Sequence, residues 1–197
     1  MKIKNLLILI TFFIGMLCST LSNISCQSTT IKAEQVREGD IIFQTSQSSQ
    51  SKYIQKATHS TYTHCGVIVK VGNEYKVLET LRTIRLTPLK KFIERGRNQK
   101  YWIKRSDLKD IKINYDQYLG RTYDLAFKAN NSKYYCSELV YEIYKRQLGI
   151  NLCDLHPIKS YAIKGLERTI EKRGMNLNEL VVAPSDLYKS PYLHDLR

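Results

Sequence analysis

Gly72-Asn73 stands between two runs rich in β-branched and aromatic residues, 63–71 and 74–80. A two-residue Gly-X loop between such runs closes a β-hairpin, with positive φ at its first position. Val71 then faces Glu74, and the register carries back until Gly66 lies opposite Glu79 and His64 opposite Leu81. Opposed residues share a face, and that face repeats every second residue. His64, Gly66 and Glu79 therefore point the same way, with Cys65 on the other face, where it packs. Diagonal neighbours across a strand pair lie roughly 7–8 Å apart, within reach of a long side chain. Glu79 can thus bond one imidazole nitrogen of His64 and leave the other free, the relation of orienter to base that a nucleophile requires. The competing reading is a sheet histidine satisfied by a polar neighbour. His59, His156 and His194 have no equivalent partner.

A nucleophile for that base is found in Tyr134-Tyr135-Cys136-Ser137-Glu138-Leu139-Val140. At helical spacing Cys136, Leu139, Val140, Ile143 and Gln147 share one face, and Gly149 is the stop signal. Cys136 falls at the helix start, where free amides and the helix dipole favour a thiolate. A cysteine on an apolar face is often only a small hydrophobe; the His64–Glu79 pair is what argues for chemistry. Tyr123, Asp124 and Tyr135 are the candidate substrate-binding residues, a core tyrosine being the competing view of Tyr123.

Elsewhere the pattern predicts a short strand at 41–43, a Ser/Gln-rich loop from 45 to 51 and a short helix over 53–57. A loop containing Pro88, a helix around 90–94 and a strand at 101–103 follow. Residues 108–127 read as helical in parts, broken at Gly120, and 181–187 as a last strand and turn. Strands cluster and helices flank them, which indicates an α+β fold.

Residues 1–25 have the layout of a secretory signal peptide: Lys2 and Lys4, an apolar run from Leu6 to Leu17, then a small polar stretch. The run is short for a transmembrane helix. Ile24-Ser25-Cys26 resembles the end of a lipoprotein processing site, although Asn23 replaces the usual aliphatic residue. Two forms stay open: a lipoprotein anchored through Cys26, or a soluble secreted protein. Residues 26–38 read as a linker and 39–197 as one domain. Lys2 and Lys4 are the only charges of the leader, so a chain starting at Cys26 keeps +11 of the formal +13. That excess favours anionic surroundings. No zinc-finger spacing, ribonucleoprotein motif or phosphate loop points to nucleic acid. Export would permit a Cys65–Cys153 disulfide. Cys153 and His156 have the spacing of half a metal site, with no second half.

The order Gly39-Asp40-Ile41-Ile42-Phe43, Tyr62-Thr63-His64-Cys65-Gly66-Val67-Ile68, Glu79 and Tyr135-Cys136-Ser137-Glu138-Leu139-Val140 resembles the YiiX-like permuted papain-like enzymes. These belong to the NlpC-type superfamily of cysteine peptidases and amidases. Gly120-Arg121-Thr122-Tyr123-Asp124 and Pro184-Ser185-Asp186-Leu187-Tyr188 resemble later motifs of the same family. His64 precedes Cys136, as in the circularly permuted branch. Cys65 departs from the aliphatic residue expected there. The resemblance implies a small antiparallel barrel or curved sheet packed against a nucleophile-bearing helix, a Cys136–His64–Glu79 triad, and no metal or organic cofactor. It further implies a hydrolase acting on a cell-envelope amide, either a peptidoglycan stem peptide or an N-acyl amino compound. A lipid acyltransferase or lipid hydrolase is the alternative within the superfamily; a non-catalytic envelope-binding module is the alternative outside it.

Overall fold

The computed structural model describes residues 35–129 and 131–196. The expected signal peptide, Cys26 and most of the expected linker lie outside the described residues. Five strands, β1 (Ile41–Ser46), β2 (His64–Val71), β3 (Glu74–Thr80), β4 (Ile84–Pro88) and β5 (Gly96–Ser106), form one sheet with the late β8 (Leu193–Asp195). Their order is β4-β3-β2-β1-β5-β8, and every neighbouring pair is antiparallel. A separate two-stranded pair joins β6 (His156–Pro157) to β7 (Leu180–Val181). The helices are α1 (Ser51–Thr58), α2 (Leu89–Glu94), α3 (Cys136–Gln147), α4 (Glu167–Lys172) and α5 (Pro184–Tyr188).

The hairpin has the expected register. Val71 pairs with Glu74 and Val67 with Leu78, and Gly72 turns the chain at φ +60°. Alternation along the strands then sorts side chains into two layers. Ile41, Phe43, Cys65, Val67, Val69 and Leu78 form the main core with Leu139, Val140, Ile143 and Tyr144 of α3. Full burial of such a side chain is worth about 1.5–3 kcal/mol. The opposite face carries Ile42, Ile68, Val77 and Ile103, and α2 covers it with the fully buried Phe92. Tyr144 Oη donates to the Gly39 carbonyl at 2.5 Å, which fixes α3 to the approach into β1.

The structure corrects three expectations. Residues 108–127 hold no α-helix; they run as irregular chain with a single 3₁₀ turn at Asp116–Tyr118. Ile111 and Ile113, two apart, are both buried, a spacing that suits extended chain. The Ile113 amide donates to Glu38 Oε1 at 2.9 Å and the Asn114 amide to Gln147 Oε1 at 2.8 Å, so side chains replace helical acceptors. Ile84–Pro88 is a strand rather than a loop. Pro88 is tolerated because β4 is the sheet edge, where a missing N–H costs little. In the tail, only Leu180–Val181 pairs before the short α5, and Leu193–Asp195 adds the far edge strand.

Candidate active site

His64 is the first residue of β2, and Glu79 is the penultimate residue of β3. His64 Nε2 and Glu79 Oε2 are 2.6 Å apart, and both residues are buried. One more pair of the hairpin register sets Gly66 opposite Glu79. A Cβ on Gly66 would come within 2.6 Å of Val77 Cγ1, 2.7 Å of the Leu78 carbonyl and 3.2 Å of Glu79 Cβ. Glycine is therefore required by space: the gap that the two side chains close across admits nothing larger.

Glu79 is held on both oxygens. Thr87 Oγ1 of β4 donates to Oε1 at 2.6 Å, and Arg95 Nη2, just past α2, donates to Oε2 at 2.5 Å. Burial raises the carboxyl, but His64 and Arg95 outweigh it and hold Glu79 at about 2. Phe92 lies along the imidazole, with ring centroids 5.6 Å apart. Neither Arg95 nor Thr87 was found from sequence. Thr87 sits on the strand whose Pro88 signals a loop in the sequence, and Arg95 has no local motif.

Cys136 opens α3 directly after Tyr135, whose ψ of 169° is extended. The start of the helix is pinned from several sides. Glu138 Oε2 accepts the Tyr135 amide at 3.3 Å, Ser137 Oγ donates to the Val182 carbonyl at 2.7 Å, and the Val182 amide donates to Tyr135 Oη at 3.1 Å. Glu138 therefore serves the helix start. Cys136 is buried beside Cys65 and His64. Hydrogen bonding from Cys65 comes first in holding its thiol well below the ordinary range; burial opposes this, and His64 adds to it. His64 answers in the other direction. Burial lowers it, but Cys136 and Glu79 together raise it to about 9. Both shifts run in the direction of a thiolate at Cys136 and an imidazolium at His64.

Cys65 packs in the main core as expected, and its side chain also meets Cys136; burial and the Cys136 charge keep its proton on, with a pKa well above the usual value. It can therefore donate to the thiolate. Cys65, Cys136 and Cys153 are all free thiols, so the Cys65–Cys153 bridge is not formed.

A cleft of about 810 Å³, counted to its open mouth, has Cys136 in its wall. Tyr123 and Tyr135 also line it. The Tyr123 hydroxyl donates to Gln50 Oε1 at 3.4 Å, and the ring of Tyr135 packs on Phe127 with centroids 4.6 Å apart. Asp124 does not belong to the lining. Its carboxylate accepts from the amides of Ala126 and Lys128 and from Asn131 Nδ2, which organises the loop after it. Gln50 in the same wall was not singled out from sequence, where it is one of several glutamines in a polar stretch.

The model of the permuted papain-like amidase enzymes, YaeF/YiiX, C92 family, matches residues 35–196. The chain is 34% identical over 173 residues to the uncharacterized protein YiiX of Escherichia coli K12, covering 82% of this chain and 86% of that protein. A crystal structure described as metalloprotein yiiX, from Escherichia coli O157:H7, superposes with a TM-score of 0.73 at 33% identity. It covers 82% of this chain and 96% of its own. Among the described residues of the present chain, no three His, Cys, Asp or Glu side chains converge to hold a metal ion.

Proposed function

The chain belongs to the permuted papain-like amidases of the YaeF/YiiX, C92 family, a family of cysteine hydrolases, and from that premise we propose that it cleaves an amide through Cys136, His64 and Glu79. The observation that carries the reading is the 2.6 Å contact of His64 Nε2 with Glu79 beside a thiol of lowered pKa. Glu79 fixes the ring so that Nδ1 is the nitrogen left for Cys136. The thiolate attacks the carbonyl carbon, a C–S bond forms, and the tetrahedral oxyanion meets the backbone amide at the start of α3. The C–N bond then breaks, and the His64 proton leaves with the amine. Water attacks the thioester, His64 takes its proton, a C–O bond forms and the C–S bond breaks. The thiolate–imidazolium pair is restored along with a carboxylic acid.

The substrate in this reading is an amide of the cell envelope, a peptidoglycan stem peptide or an N-acyl amino compound, reached by export with or without anchoring through Cys26. The leader-like residues 1–25 and the net charge of +13 support that address. Transfer of the acyl group to an amine instead of water is the second reading; the mostly apolar lining of the cleft beside Cys136 favours it.

Alkylation of each cysteine by iodoacetamide across pH, read by peptide mass, tests the site. Cys136 labels rapidly at mildly acidic pH while Cys65 and Cys153 stay slow, and His64→Ala removes the difference. Equal rates at the three thiols would overturn the assignment.

A further inference from the structure

Two thiols meet at the start of β2. His64 and Cys65 are consecutive on that strand, so their side chains leave on opposite faces. Both nevertheless reach Cys136, His64 from the side covered by Phe92 and Cys65 from the main core. Cys136 therefore stands over the strand end, with an imidazole on one flank and a second sulfur on the other. The Cys65 thiol hydrogen-bonds the Cys136 sulfur, and both residues are buried, Cys65 completely. Because α3 packs directly on β2, two regular elements hold the pair together. Hydrolysis asks nothing of the second sulfur beyond a donor, and a thiol is a weaker donor than a hydroxyl.

The two sulfurs differ in access and in charge. Cys136 is part of the wall of a cleft open to solvent, so a molecule as small as hydrogen peroxide reaches it. Cys65 has no exposed surface and meets the outside only through Cys136. Sensor cysteines combine thiolate character and access with a resolving thiol beside them. Cys136 supplies the first two properties and Cys65 the third. Cys153, the remaining free thiol among the described residues, stands elsewhere: burial, then Asp186 and Asp154, push it up to about 12.

We infer that Cys65 is the resolving partner of Cys136: hydrogen peroxide oxidises Cys136, and Cys65 then closes a reversible Cys65–Cys136 disulfide that switches the hydrolase off and shields its sulfur from further oxidation. This rests on the thiol-hydrolase reading and gives that site a form of regulation. The Cys136 thiolate attacks one peroxide oxygen; an S–O bond forms, the O–O bond breaks, and the departing hydroxide takes the His64 proton and leaves as water. Sulfur has given up an electron pair, and the peroxide has received it. The Cys65 sulfur next attacks the sulfenic sulfur. An S–S bond forms, the S–O bond breaks, and the Cys65 proton leaves with the hydroxyl as a second water. An external dithiol returns two electrons and two protons, one proton to Cys65 and one to the Cys136–His64 pair. A sulfinic or sulfonic acid at Cys136 would have no such return.

The test treats the full chain with hydrogen peroxide, blocks the remaining thiols with iodoacetamide and reads unreduced peptides by mass. Wild type should give the Cys65 and Cys136 peptides joined and lose Cys136 alkylation, and dithiothreitol should restore that alkylation to its untreated level. Cys65→Ser keeps a donor and removes the sulfur. Excess peroxide should carry its Cys136 on to sulfinic and sulfonic acid, and dithiothreitol should recover none of that loss. Rapid alkylation of untreated Cys136 without a joined peptide after peroxide would overturn the switch and leave the hydrolase standing. Equal irreversible loss in wild type and Cys65→Ser, or a Cys136–Cys153 bridge in place of the expected one, would do the same. Slow alkylation of untreated Cys136 would overturn the hydrolase itself.

Discussion

His64 and Glu79 sit on neighbouring strands, offset diagonally across Gly66, and their side chains meet at 2.6 Å in a space that has no room for a Cβ. Orientation of the base is thus built into the register of one hairpin. Gly66→Ala should force apart the backbone near Leu78 and the side chain of Glu79. Overpacking of this kind costs about 1–3 kcal/mol. Thermal unfolding checks the stability loss; an activity loss larger than the unfolded fraction explains checks that the pair has been displaced.

Glu79→Gln keeps the shape and removes the charge. His64 loses part of what raises it to about 9, so the alkaline limb of the pH–rate profile should move to lower pH. The rate itself should fall up to roughly 10⁴-fold, the cost seen when the carboxylate that orients a catalytic histidine is made neutral. Steady-state kinetics on any amide substrate across pH would read both effects.

Hydrolysis and alkylation should part company in alkali. Hydrolysis needs the His64 proton for the departing amine and should decline as pH passes about 9. Alkylation needs only the thiolate and should persist. Parallel decline of the two would show that the group titrating there is not the general acid. The pair titrates as a unit, so the limbs belong to both residues together.

Acid stability gives a separate readout. Glu79 is held at about 2 in the folded chain against 4.5 unfolded, so its contribution is full above 4.5 and is lost as pH falls toward 2. His64, raised from 6.5 to about 9, contributes fully below 6.5 and loses that contribution as pH rises through 9. The lowered Cys136 works in the opposite sense over that upper window, since folding there moves a proton from thiol to imidazole rather than binding one. The difference in unfolding free energy between wild type and Glu79→Gln should therefore narrow below pH 4.5 and change little from 6.5 to 9. Chemical denaturation at a series of pH values measures it.

Cys65→Ala removes the strongest of the contacts that lower the Cys136 thiol. The acid limb of Cys136 alkylation should shift upward, while Cys65→Ser, which keeps a donor, should lie between that variant and the wild type. Peptide-resolved alkylation rates distinguish the three proteins.

The site was legible where it rests on local geometry. Gly72-Asn73 dictated the hairpin register, and the register brought His64 to Glu79; the 3.6-residue periodicity placed Cys136 at a helix start. What escaped was non-local. Arg95 reaches Glu79 only because α2 folds back over the sheet, and Thr87 does so from an edge strand that Pro88 disguised. Cys65 was assigned to packing by strand alternation, which says which face a side chain takes but not what lies above it. Residues 108–127 misled because Ile111 and Ile113 are buried in an extended stretch whose amides are satisfied by Glu38 and Gln147, contacts that no spacing rule contains. Asp124 and Tyr123 are adjacent in sequence, yet only the tyrosine reaches the cleft.

The sheet also has a consequence for how such a chain can be retooled. Glu79, with its partners Thr87 and Arg95, lies on the face covered by α2, whereas among the described residues β2, β3, β4 and α2 contribute nothing to the lining of the cleft. His64, the first residue of β2, bonds Glu79 and interacts with Cys136, which is in the wall of the cleft. Substitutions along α1 and within residues 158–175 can therefore change what the cleft accepts while the charge assembly behind the sheet stays as it is. Grafting residues 158–175 from a relative should transfer selectivity and leave the proton chemistry in place, a division of labour set by which face of a strand each residue occupies.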